Sequence, residues 1–148
     1  IAAELAGERV GIAASTFEDF ALGLADDSGG TLRRFATLQA HGDTDRRTVL
    51  RCLRGSAGGV GEPDAMALRA GLRLLQQTDL RARLPQVAQP TLIVHGERDT
   101  VVPCAAGAYL QRTLARAVLE VVAGAAHAPF IAQPQRVAWR IREFCGER

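Results

Sequence analysis

The stretch Gln89-Pro-Thr-Leu-Ile-Val-His-Gly-Glu-Arg-Asp-Thr-Val-Val-Pro103 decides the fold. Thr91 to Val94 form a short β-rich apolar run, the pattern of a strand buried on both faces, and His95-Gly96 closes it. Beyond Pro103 the period becomes helical, with Ala106, Leu110 and Leu114 on one face. Val118-Leu-Glu-Val-Val122 repeats the strand signal, a loop of small residues (Ala123 to Ala126) follows, and Val137, Ile141 and Phe144 stripe a last helix. Strand, helix, strand, helix implies two parallel strands joined by a right-handed crossover. Such strands need cover on both faces and partners on both edges. The expectation is therefore an α/β fold with an incomplete sheet, its other strands lying upstream. A first residue that is Ile rather than Met fits that expectation.

Before this stretch the texture differs. From Ser15 to about Leu84 the pattern is helical, without a strand signal. Phe17, Phe20, Ala21 and Leu24 fall at i, i+3, i+4 and i+7, and Ser15 or Thr16 is placed to cap that helix. Asp26-Asp-Ser-Gly-Gly30 breaks it. Leu32, Phe35 and Leu38 stripe a second helix ended by His41-Gly42, and Thr44 is placed to cap a third that runs to about Leu53. Gly55-Ser-Ala-Gly-Gly-Val-Gly61 reads as a flexible loop. Pro63 then suits the first turn of a fourth helix, whose apolar face is Leu68, Leu72 and Leu75. The organisation expected is a linker over 1–14, an all-helical zone over 15–85 and the strand–helix–strand–helix unit over 86–148.

Composition narrows the classes. With 148 residues, 47% of them hydrophobic, the chain suits one ordinary domain or part of a larger one. It has no run of 18 apolar residues that would span a membrane, and its first nine residues lack the pattern of a secretory signal. Three cysteines, Cys52, Cys104 and Cys145, match no metal or C-x-x-C spacing. Reduced thiols in a cytoplasmic protein are the expectation. Net charge is only +2, yet between Gly30 and Arg54 six arginines stand against Asp43 and Asp45, a net +4 in 25 residues. That patch reads either as a solvated helical face or as a docking surface for an acidic partner. Nucleic acid is disfavoured, because only Phe35 lies among these arginines.

In open parallel sheets, sites gather at the C-terminal ends of strands. Here the first strand leads into Gly96-x-x-Asp99-x-x-Val102-Pro103 and the second into Gly124-Ala-Ala-His-Ala-Pro-Phe130. Alone, an Asp in such a loop forms turns and a lone His packs. Together they suit a base whose other nitrogen is held by a carboxylate, which fixes the tautomer and stabilises the imidazolium. His41 and His95 lack an evident partner, and Trp139 is expected to pack inside the last helix.

The segments Leu92 to Pro103 and Gly124 to Ile131 resemble the acid and histidine loops of α/β-hydrolases. Gly11-Ile12, Phe20, Thr31-Leu-Arg-Arg-Phe-Ala-Thr-Leu-Gln39, Gly71-Leu-Arg-Leu-Leu75 and Thr78-Asp-Leu-Arg81 resemble the cap of one branch. That branch is the pimeloyl-[acyl-carrier protein] methyl ester esterases of biotin biosynthesis. The resemblance implies the C-terminal part of an α/β-hydrolase behind a helical cap. It implies a serine carboxylesterase without cofactor or metal, with Asp99 orienting His127 and His127 serving as general base. It further implies that Phe35, Ala36, Thr37, Leu38, Gln39 and Val101 bind substrate, and that Arg34, Arg47 and Arg51 receive the acyl-carrier protein.

A nucleophile should sit in G-x-S-x-G at a strand-to-helix elbow. Ser15 lacks the flanking glycines, and Ser28 has only Gly30 behind it. Ser56, in Arg54-Gly-Ser-Ala-Gly58, follows an Arg-rich helix rather than a strand. The expectation is that nucleophile and oxyanion hole lie upstream and that this chain alone is inactive. Two other readings stay open. One is another α/β-hydrolase (a broad esterase, a haloperoxidase-like enzyme or a dehalogenase); the other is a non-catalytic cap that docks an acidic carrier.

Overall fold

The computed structural model describes residues 4–5, 8–9, 11–57 and 64–146. Two short strands, β1 (Glu4–Leu5) and β2 (Glu8–Arg9), pair antiparallel within the stretch expected to be a linker. Four helices follow: α1 (Ala14–Asp26), α2 (Ser28–Gln39), α3 (Arg46–Ala57) and α4 (Ala65–Gln77). A 3-10 turn over Arg81–Gln86 leads into β3 (Thr91–Gly96), α5 (Cys104–Thr113), β4 (Ala117–Val122), a single turn α6 (Pro129–Ala132) and α7 (Pro134–Cys145).

The α/β expectation holds in this chain. β3 and β4 are parallel and in register from Thr91 opposite Ala117 to Gly96 opposite Val122. α5 packs on both strands, while α6 and α7 pack against β3. Val122, Ala125 and Val137 are buried together, with Val94 and Ala132 closing around them. The α7 stripe is narrower than its sequence suggested. Val137 is buried, yet Ile141 is 47% and Trp139 61% exposed. Trp139 is two residues past Val137, which at about 100° per residue puts it on the far side of the helix. The expectation that Trp139 packs is thus corrected.

The helical zone has two cores. Phe17, Leu24 and Leu72 form one, joined by Phe20, Leu32 and Leu68. Leu75 lies outside it and is exposed; α4 packs on α1. In the second core, Ala40 and Val49 are fully buried against Ala128 of the histidine loop. Burying a valine side chain stabilises by roughly 1.5–3 kcal/mol, so this contact ties the zone to the strand unit.

Local capping departs from expectation in three places. α1 begins before Ser15, behind Ala13, without a side-chain cap, so neither Ser15 nor Thr16 caps it. Asp27 alone separates α1 from α2, and its Oδ1 accepts the Gly30 N–H at 2.7 Å. Thr44 does not cap α3: its hydroxyl donates to the Gly124 carbonyl, and Asp45 accepts the Thr48 N–H instead. Gly55, Ser56 and Ala57 are helical rather than loop. Residues 58–61 of that expected loop, and Pro63, lie outside the described residues. Asp64 caps α4, so the helix starts after Pro63.

Candidate active site

β3 ends at Gly96 because the chain must turn against the loop after β4. A Cβ at Gly96 would stand 1.8 Å from the Ala126 carbonyl oxygen, a gap no other residue fits. The next residues form a tight turn that Asp99 builds for itself. Its Oδ1 accepts the N–H groups of Val101 and Val102 at 2.8 and 2.9 Å. Oδ2 remains, and it faces His127 Nδ1 at 2.8 Å. The two readings of an Asp in this loop, turn former and histidine partner, are therefore both true, one for each oxygen.

The Asp99 side chain is only 5% exposed. Burial by itself raises its carboxyl. The His127 hydrogen bond, the two amide donors and the His127 charge together outweigh it, holding the group below its ordinary 3.8. A carboxylate at Nδ1 fixes the proton there, which leaves Nε2 with its lone pair and makes His127 a base at that atom. The His127 side chain is 31% exposed, so its Nε2 side is open to solvent or a ligand.

His95 has partners that the sequence did not disclose. Its Nε2 donates to the Val102 carbonyl at 3.0 Å, and the same nitrogen is 3.5 Å from Asp99 Oδ2. His95 thus closes the acid turn from below. Asp43, read only as one of two acids among arginines, is buried, and its Oδ2 accepts the Ala126 N–H at 2.8 Å. The two residues are 83 positions apart, and nothing local marks the contact. His41 is exposed at the end of α2.

A cavity of about 650 Å³ opens beside the acid turn. Phe17, Phe20, Phe35, Leu38 and Ile12 supply its apolar wall, and Asp99, Val101 and Pro103 form its other end. Phe20 and Phe35 meet across α1 and α2 with ring centres 5.3 Å apart. Of the residues expected to bind substrate, Phe35, Leu38 and Val101 line this cavity, whereas Ala36, Thr37 and Gln39 do not. Thr37 donates its hydroxyl to the Arg33 carbonyl at 3.0 Å, and Gln39 gives its carbonyl to the His127 N–H at 3.2 Å. Arg34 stands at the cavity wall, its Nη2 donating to Thr31 Oγ1 at 2.8 Å. Arg47 and Arg51 are exposed one turn apart on α3.

No serine of the chain occupies a strand-to-helix elbow. Ser15 lies in the first turn of α1, Ser28 opens α2 directly after α1, and Ser56 lies in the last turn of α3. Among the described residues, no cluster of three His, Cys, Asp or Glu side chains could hold a metal ion, and no helix is long and apolar enough to cross a membrane.

Comparison with known proteins agrees with this geometry. The model of the Alpha/beta hydrolase family matches residues 1–140. The pimeloyl-[acyl-carrier protein] methyl ester esterase of Nitrosomonas europaea is 42% identical over 126 residues, covering 85% of this chain and 50% of that protein. Its counterpart in Aromatoleum aromaticum is 41% identical over 133 residues, 90% of this chain and 53% of that one. The chain spans about half the length of the curated relatives it matches. Among solved structures, an esterase from Exiguobacterium antarcticum superposes with a TM-score of 0.79 at 18% identity, over 97% of this chain and 52% of that chain. A bromoperoxidase from Bacillus anthracis gives 0.77 at 20%, over 92% and 50%. At such identities the likeness is one of fold alone.

Proposed function

The chain belongs to the alpha/beta hydrolase family, and from that premise we propose that it carries the acid and base of a serine carboxylesterase. The observation that carries the reading is the 2.8 Å hydrogen bond from His127 Nδ1 to a buried Asp99 whose other oxygen is saturated by backbone amides. Asp99 orients and stabilises the imidazole. His127 Nε2 takes the proton of a serine hydroxyl as that oxygen attacks the ester carbonyl. The imidazolium then returns the proton to the departing alcohol, and a water repeats the cycle to release the acid. The serine and the oxyanion donors come from the half of the fold that the relatives have beyond the stretch matched here. This chain alone is therefore inactive.

The substrate we assign is a methyl ester on an acyl chain borne by an acyl-carrier protein, as in the name of the relatives at 41–42% identity. The apolar cavity ending at Asp99 suits the acyl chain, with Phe35, Leu38 and Val101 as its contacts. The helical zone over 15–85 serves as the cap, and Arg34, Arg47 and Arg51 on α2 and α3 meet the acidic carrier.

The test is made on the protein carrying both halves of the fold. His127→Ala or Asp99→Asn should lower kcat for the carrier-bound methyl ester by the order of 10⁴-fold. Arg47→Glu with Arg51→Glu should raise KM and leave kcat on a small free ester unchanged. Hydrolysis that survives His127→Ala ends the catalytic reading; carrier hydrolysis indifferent to both charge reversals ends the carrier reading. Turnover of a p-nitrophenyl ester by the 148-residue chain alone, abolished by His127→Ala, would overturn its inactivity.

A further inference from the structure

Between α2 and α3 the chain runs as a strap over residues 39–44, and this strap holds the histidine loop. The Gln39 carbonyl accepts the His127 N–H at 3.2 Å, and the Gly124 carbonyl accepts both the N–H and the hydroxyl of Thr44 at 2.9 Å. Asp43 Oδ2 accepts the Ala126 N–H at 2.8 Å, while its Oδ1 accepts the Asp45 N–H, also at 2.8 Å. The contact with Ala126 is buried: Asp43 is 8% exposed and Ala126 not at all.

The two peptide units before the His127 Cα each end in one of these bonds, the first through the Ala126 N–H and the second through the His127 N–H. Together they fix the dihedral angles of Ala126, and so the direction in which the His127 side chain leaves the backbone. The Ala126 N–H has no strand partner to replace the carboxylate, and a buried donor left unpaired is costly. We infer that Asp43 is a positioning residue, its carboxylate fixing the peptide that aims His127 at Asp99. The inference rests on the catalytic reading of Asp99 and His127. It also means that the helical zone is fastened to the site it covers: a lid motion that displaced the strap by more than a hydrogen-bond length would release the base.

The test uses the protein carrying both halves of the fold, isotopically labelled for NMR, at alkaline pH where imidazoles are neutral. In the wild type the ring nitrogens of His127 should report one tautomer, with the proton on Nδ1. Asp43→Asn keeps the shape but turns one of its two acceptors into a donor. It should average the His127 tautomers and speed exchange of the Ala126 amide by roughly tenfold or more. A faster Ala126 exchange with an unmoved His127 ring would reduce Asp43 to a structural residue and overturn the inference. Asp99→Asn, read in parallel, separates the two claims. If it fails to average the tautomers, the pairing of Asp99 with His127 is what fails. If Asp43→Asn abolishes folding, Asp43→Glu is read instead, because it keeps the charge and displaces the carboxylate from the Ala126 N–H. A smaller change of the same kind is then expected, and an unchanged His127 ring overturns the inference.

Discussion

Gly96→Ala should be among the most damaging single changes available to this chain, although it adds one methyl group. The new Cβ would stand 1.8 Å from the Ala126 carbonyl oxygen and 2.7 Å from that of Ala125. Real Cβ atoms essentially never come nearer than 3.0 Å to such a neighbour, so strand and loop must part by about 1.2 Å. Both obstacles are backbone, and no rotamer change relieves them. Overpacking of this kind costs about 1–3 kcal/mol. The movement also stretches the Arg98 N–H bond to the Ala125 carbonyl (2.9 Å) and the Ala126 N–H bond to Asp43 (2.8 Å), at about 1 kcal/mol each. A total of about 3–5 kcal/mol is expected, a large share of the 5–15 kcal/mol that holds an ordinary domain together. Urea unfolding followed by circular dichroism measures it. Gly71→Ala is the control: it lies in α4 with nothing within 4 Å of its added methyl, and should stabilise by about 0.5–1 kcal/mol. A loss below about 1 kcal/mol for Gly96→Ala, the magnitude of one hydrogen bond, would refute the claim that the strand end and the histidine loop are wedged together.

Acid should act on the site through Asp99. Its carboxyl is held below 3.8 in the fold, so the stability it contributes is fully present above the unfolded value and drains away as pH falls through the folded one. Unfolding curves taken from neutral pH into the acid range should show Asp99→Asn flattening that acid limb; a steeper limb in the variant would contradict the assignment. At the joint between α1 and α2, Asp27→Ala removes the acceptor of the Gly30 N–H and should cost about 1 kcal/mol by thermal or chemical unfolding. No measurable cost would mean that the α1–α2 joint is held by packing alone.

Much of the architecture was legible because its signals are local. Thr91 to Val94 and Val118 to Val122 read as buried strands from a few consecutive residues, and both are strands. Asp99 and His127 were found because a parallel sheet brings the ends of its strands together, so two loops 28 residues apart become neighbours. The contacts that hold the pair in place were not legible. Asp43 reaches across 83 positions to Ala126, and its sequence context, a Gly42-Asp-Thr after a helix, is that of any turn. His95 closes β3 as its sequence suggests, but its partner is a main-chain carbonyl, which carries no signature in the sequence. Thr44 fitted the pattern of a helix cap, but a tertiary acceptor, the Gly124 carbonyl, claims its hydroxyl. Trp139 misled for another reason: hydrophobicity implies burial only where an element packs on that side, and α7 packs by its Val137 face.

The joint at Asp27 has a consequence for how such a chain can diversify. A single residue ends α1 and starts α2, with its φ at −140° and ψ at 86°, so one pair of torsions sets the angle between the walls that carry Phe20 and Phe35. Most connecting loops absorb an inserted residue in slack, but here there is none to absorb it. An insertion or deletion at this point would rotate one wall against the other and resize the cavity in a single event. Length variation at position 27, more than substitution along the walls, is where the size of the cavity would be retuned.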